Sequence, residues 1–88
     1  MALKDIKTKR SLRFEVQRQQ HMIKTPVDLG MALRKRRKAL GMTQQSLALQ
    51  SGVSVPTIIA AEKGKETAQI GMVFALCRDL GLDLLAEI

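Results

Sequence analysis

Eighty-eight residues with a net charge of +7 and only two aromatic side chains, Phe14 and Phe74, describe one small domain whose core must be Leu, Ile, Val, Met and Ala, which favours packed helices. One cysteine, Cys77, excludes a disulfide framework and a cysteine-based metal set, and one histidine, His21, leaves neither a two-histidine metal site nor a Ser/His/Asp triad, so no cofactor and no enzymatic activity are expected. The opening MALKDIK lacks the apolar run of a signal peptide and no stretch approaches membrane-spanning length, so a soluble cytoplasmic protein with no membrane partner is expected.

The charge is unevenly placed. Residues 1–38 hold twelve of the fifteen Lys and Arg against Asp5, Glu15 and Asp28, a net of +9, and residues 39–88 carry a net of −2. A basic front half suits a polyanion partner, with a merely solubilising charge run as the alternative. Residues 1–24 form a basic N-terminal arm, with Lys4, Lys7, Lys9, Arg10, Arg13, Arg18 and Lys24 spread along it and no sustained helical stripe. Leu12, Phe14 and Val16 alternate with Arg13, Glu15 and Gln17, the period of a short strand. Such an arm either follows phosphates and enters a minor groove or is a frayed terminus.

Thr25-Pro26 opens a domain spanning 25–81. Thr25 can cap, Pro26 fits the first helical position and Asp28 sits in the first turn, so a helix is predicted over about 26–40, ended by Gly41. Leu29, Leu33 and Leu40 share its apolar face, with Arg34, Lys35 and Lys38 away from it and Arg37 at the margin. Thr43 caps a second helix, with Gln44 and Gln45 in an exposed first turn where backbone amides attract phosphate. Leu47 and the small Ala48 give that helix its apolar side, Gly52 supplies a sharp turn, Val53 plugs it, Ser54 caps a third helix over 54–63, and Ile58 points back to the core. Gly64 stops that helix, and its outward positions are Ser54, Val55, Pro56, Ile59, Ala60 and Lys63, with Thr57 at the edge.

The pattern Gln44, Leu47-Ala48, Gly52-Val53-Ser54, Thr57-Ile58, Glu62, Gly64 resembles the Cro and phage-repressor class of DNA-binding domains, the XRE family. The resemblance implies an all-α helix-turn-helix fold of about four helices. It implies Gln44 as a phosphate clamp, residues 54–63 as the recognition helix in the major groove, and an ion pair between Arg37 and Glu62. The DNA-binding set is then Lys38, Gln44, Gln45, Ser54, Val55, Pro56, Thr57, Ile59, Ala60 and Lys63. The recognition helix departs from the family in lacking Gln, Asn or Arg at its front. Two accounts fit: binding through phosphates, thymine methyls and duplex shape, or an adaptor that has lost DNA and docks a protein on Val55, Pro56 and Ile59.

Thr67 is placed to cap a fourth helix that ends at Gly81. Ile70, Val73, Phe74 and Cys77 form its core stripe, and Met72 and Leu76 widen the apolar arc toward a second packing partner. Residues 82–88 switch to period two, with Leu82, Leu84, Ala86 and Ile88 on one side, as in a strand with no sheet to join in its own chain. Pairing with the same strand of a second copy would make 82–88 a dimerisation strand and Met72, Leu76, Leu82, Leu84 and Ile88 the dimer contacts; a loose tail is the alternative. The Thr-Pro opening, helix-turn-helix, fourth helix and GLDLL before a strand resemble the HipB-type antitoxins. That implies a homodimeric repressor of its own operon, bound to a near-palindromic site on double-stranded DNA, with a HipA-type kinase toxin as a further partner. A small XRE repressor without a toxin shares most of these positions.

Overall fold

The computed structural model describes residues 20–88, so the basic residues before position 20 and the strand expected at Leu12–Val16 lie outside the described residues. Four helices follow in order: α1 Pro26–Ala39, α2 Gln44–Ser51, α3 Val55–Glu62 and α4 Ile70–Leu80. Among the described residues there is no strand, and no helix is long and apolar enough to cross a membrane.

Each of the first three helices starts on a side chain that satisfies an otherwise orphaned amide. The Asp28 amide donates to Thr25 Oγ1 (3.1 Å), and the Asp28 carboxylate accepts from the amides of Lys24 (2.9 Å) and Thr25 (3.1 Å), a reciprocal box with Pro26 inside it. Those bonds, the Lys24 amide first, hold the Asp28 carboxyl below the usual aspartate range. Thr43 and Ser46 form a second box, Ser46 N to Thr43 Oγ1 at 3.0 Å and Thr43 N to Ser46 Oγ at 2.9 Å. Ser54 Oγ accepts from Thr57 N at 3.3 Å. The turn between α2 and α3 is made by Gly52 at φ +73, a left-handed conformation that side chains resist.

The core comprises Leu33 from α1, Leu47 from α2, Val53 from the turn, Ile58 and Ala61 from α3, and Val73, Leu76, Cys77 and Leu80 from α4. Ala48 packs on its edge, as do Leu29 and Leu82. Burial pushes the Cys77 thiol pKa up, as for a small core residue. α1 crosses α3 closely at Gly30. A β-carbon there would sit 2.5 Å from the carbonyl oxygens of both Ala61 and Glu62, so only hydrogen lets the two backbones meet.

Four expectations are corrected. α4 begins at Ile70 behind Gln69, which makes no side-chain cap, and not at Thr67, which lies in the turn at 66–67. The buried face of α4 is Val73, Leu76, Cys77 and Leu80; Ile70 (71 % exposed) and Phe74 (51 %) point outward instead of lining the core. Leu76, expected at a dimer contact, is 1 % exposed inside its own chain and has no surface left to offer a second copy. Leu40 is also exposed, because the left-handed Gly41 turns the chain away immediately after it. Residues 82–88 run without regular structure in the single chain.

Candidate nucleic-acid interface

α2, the turn and α3 form one rigid surface because a buried polar cluster ties their far ends together. Arg37 reaches from α1 and donates to both carboxylate oxygens of Glu62, Nε to Oε2 at 2.7 Å and Nη2 to Oε1 at 3.0 Å. Its Nη1 donates to the Met42 carbonyl at 2.8 Å, which fixes the α1–α2 loop. Both side chains are nearly buried, at 9 % and 5 % exposed. The Glu62 carboxylate raises the Arg37 pKa above its ordinary value, against the opposing effect of burial. Every buried side-chain polar atom among the described residues is hydrogen-bonded.

Gln44 joins this cluster. Its Nε2 donates to Glu62 Oε1 at 3.2 Å and the residue is half-buried, so it is not the freely exposed first-turn side chain expected. An amide nitrogen carries two hydrogens and the amide oxygen accepts, so one N–H and the oxygen remain for an outside group. Beside it, the first-turn amides of Gln44 and Gln45 have no helical carbonyl to bond. A cleft of about 450 Å³ opens here, floored by Arg37, Glu62 and Gln44, walled by Ile59 and Thr43, and rimmed by the exposed cations Arg34 and Lys63. An anion at this rim meets two positive charges and the positive end of the α2 dipole.

Arg34 was missed from the sequence, where it counted only as lying off the apolar face. The available signal was its place one turn before Lys38 and three residues before Arg37, which carries it to the same end of α1 as the buried pair.

The outer flank of α3 is accessible. Ser54, Pro56 and Lys63 are exposed, and Val55, Thr57, Ile59 and Ala60 are half-buried. Ser54 Oγ and Thr57 Oγ1 lie 2.8 Å apart and share one hydroxyl hydrogen. Gln45 and Lys38 are exposed on neighbouring elements. Ile70, Met72 (39 %) and Phe74 on α4, with Leu84 (43 %), Leu85 (80 %) and Ile88 in the tail, are exposed apolar side chains. Arg36 Nε donates to the Leu80 carbonyl at 2.8 Å, anchoring the end of α4 just before the tail departs.

This arrangement matches known proteins at several levels. The Helix-turn-helix family model matches residues 33–86. An "Uncharacterized HTH-type transcriptional regulator y4mF" from Sinorhizobium fredii is 44 % identical over 66 residues, covering 73 % of this chain and 87 % of the relative. Among solved structures, a HipB-O4 20mer complex superposes with a TM-score of 0.72 at 25 % identity, covering 78 % of this chain and 97 % of that chain. A HipA-HipB-O2-O3 complex matches at the same TM-score, 0.72, with 25 % identity over 78 % of this chain and 97 % of that one.

Proposed function

The chain belongs to the Helix-turn-helix family of transcriptional regulators, and from that premise we propose that it is a homodimeric repressor setting two copies of α3 into successive major grooves of a near-palindromic operator, about 34–36 Å apart, where it excludes RNA polymerase. The observation that carries this reading is the α3 flank, accessible along Ser54, Val55, Pro56, Thr57, Ile59 and Ala60 while the same helix is anchored from behind by Ile58, Ala61 and Glu62. Lys63 and Arg34 bracket the cleft at one end, and Lys38 extends the positive surface along α1. Gln44 and Gln45 clamp a phosphate with the α2 amides, fixing register without reading sequence. Residues 25–81 are the DNA-binding unit, and the basic arm 1–24 adds phosphate contacts.

Dimerisation uses the apolar surface that the single chain leaves open: Met72, Phe74 and Ile70 on α4 with Leu84, Ile88 and the outer edge of Leu82. In the dimer 82–88 pairs as a strand with its own copy, which satisfies backbone groups that have no partner strand in one chain. The similarity to HipB, solved in one case together with HipA, supports an antitoxin role in the cytoplasm, with a HipA-type kinase as second partner and the shared operon as the regulated gene.

The test is a fluorescence-anisotropy titration of duplex DNA between about 50 and 200 mM salt. Six to ten phosphate contacts predict an affinity loss of roughly 10³–10⁵ over that range. Absence of binding to any duplex at low salt would leave the protein-interaction adaptor, with Val55, Pro56 and Ile59 as its docking patch. Co-purification of a kinase with the tagged chain separates antitoxin from simple repressor.

A further inference from the structure

The face that α3 offers to a groove is almost entirely hydrocarbon. From Ser54 to Lys63 there is no Asn, Gln or Arg, and the one carboxylate, Glu62, is bound to Arg37 and Gln44 on the inner side. The two hydroxyls are turned on each other: Ser54 Oγ and Thr57 Oγ1 are 2.8 Å apart, and Ser54 Oγ also accepts the Thr57 amide. One hydroxyl hydrogen therefore remains for an outside acceptor. What is left is Val55, Pro56, the Thr57 methyl, Ile59 and Ala60.

In the major groove the base pairs differ in donors and acceptors and also at pyrimidine C5, where thymine carries a methyl and cytosine a hydrogen. Hydrocarbon distinguishes only the second difference. We infer that α3 selects its site by pyrimidine C5-methyl groups, packed against Val55, Pro56 and Ile59, so that 5-methylcytosine replaces thymine at the contacted positions and unmodified cytosine does not. The inference rests on the DNA-binding reading above. Its chemical basis is that the O4 acceptor of thymine and the N4 donor of 5-methylcytosine sit beside a surface with no fixed partner for either, and a hydroxyl serves both. The protein then responds to enzymatic cytosine methylation of its site, gaining affinity where the mark creates a methyl in register with α3.

A duplex is first enriched on the protein from a random-sequence pool, then resynthesised with deoxyuridine for thymidine, which removes only the methyls. Burial of one methyl is expected to be worth roughly fourfold in affinity, hence about fifteenfold for one contact in each of two half-sites. At the sensitive positions, exchange of T·A for 5-methyl-C·G should retain most of the affinity and exchange for C·G should lose it. The deoxyuridine effect should shrink in Val55→Ala and in Ile59→Ala, each checked for native helicity by circular dichroism. Equal binding of thymidine and deoxyuridine duplexes, or 5-methylcytosine behaving as cytosine, overturns the inference and leaves the repressor reading standing. A deoxyuridine effect unchanged in both variants also overturns it, since duplex shape would then be responsible. Failure of any duplex to enrich overturns both.

Discussion

The two ends of this small molecule are built to different standards of completeness. Around α1, α2 and α3 the helix starts are capped and the buried charges are paired, while Val27, Met31, Leu40 and Leu49 are left exposed. Around α4 and the tail, the helix starts on Gln69 with no side-chain cap, and Ile70, Phe74, Leu85 and Ile88 stand in solvent. At the first end the polar groups are satisfied within a single chain, as suits a surface that must hold its shape against a duplex. The second leaves apolar side chains exposed that the dimer proposed above would cover.

The largest effect should come from the first end. Glu62→Ala strands the Arg37 charge and removes a bond from Gln44, and urea unfolding should show a loss of about 3–5 kcal/mol. Glu66→Ala, at an exposed position four residues past the end of α3, should cost about 0–1 kcal/mol. Equal losses would mean the polar cluster does not hold the helices together. Next, α4 divides the two standards within one helix. Leu76→Ala should cost about 2–5 kcal/mol by leaving a cavity. Phe74→Ser should scarcely change monomer stability but shift the sedimentation profile toward monomer. If Phe74→Ser destabilises the fold as much as Leu76→Ala, the outer face of α4 is not an interface.

A smaller effect is expected at the backbone crossing. Gly30→Ala places a β-carbon 2.5 Å from the carbonyl oxygens of Ala61 and Glu62, so α1 must shift off α3, at a cost of about 1–3 kcal/mol in thermal or urea unfolding. Unchanged stability would show that the crossing has slack. The smallest effect concerns Asp28. Because its folded pKa is lowered, its contribution is present above the ordinary aspartate value of about 4 and is lost as pH falls through the lower folded value. The melting temperature of the wild type should therefore decline with acidification across that window, and Asp28→Asn should flatten part of the decline. A parallel decline in the two proteins would mean the box at α1 contributes nothing that titrates.

What the sequence made legible follows the same division. Thr25-Pro26, Thr43, Gly52, Ser54 and Gly81 mark helix ends by local chemistry that acts within a few residues, and the structure keeps each in that role. The side of α4 that packs was not legible. In IGMVFALCRDL apolar residues go nearly all the way round, so Val73 with Leu76 and Ile70 with Phe74 both satisfy helical spacing, and only contact with α1 and α2 chooses between them. Thr67 looked like a cap because its type permits it, but it lies in the turn at 66–67 that precedes α4. The bond from Gln44 to Glu62 spans eighteen residues and depends on how two helices cross, which no local pattern encodes. Arg34 carried a local signal in its spacing from Arg37 and Lys38, but the cleft it rims is formed only where residues of α1, α2 and α3 meet.

The central claim is that the outer flank of α3 lies against base edges. Photo-crosslinking tests it directly, using an enriched duplex in which a deoxyuridine carrying a diazirine at C5 replaces thymidine, since the carbene it releases inserts into the C–H bonds of side chains beside the C5 position. Peptide mapping should place the crosslinks within residues 54–63, at Val55, Pro56 or Ile59. Tight binding with crosslinks only to α4 or to the tail would contradict the account.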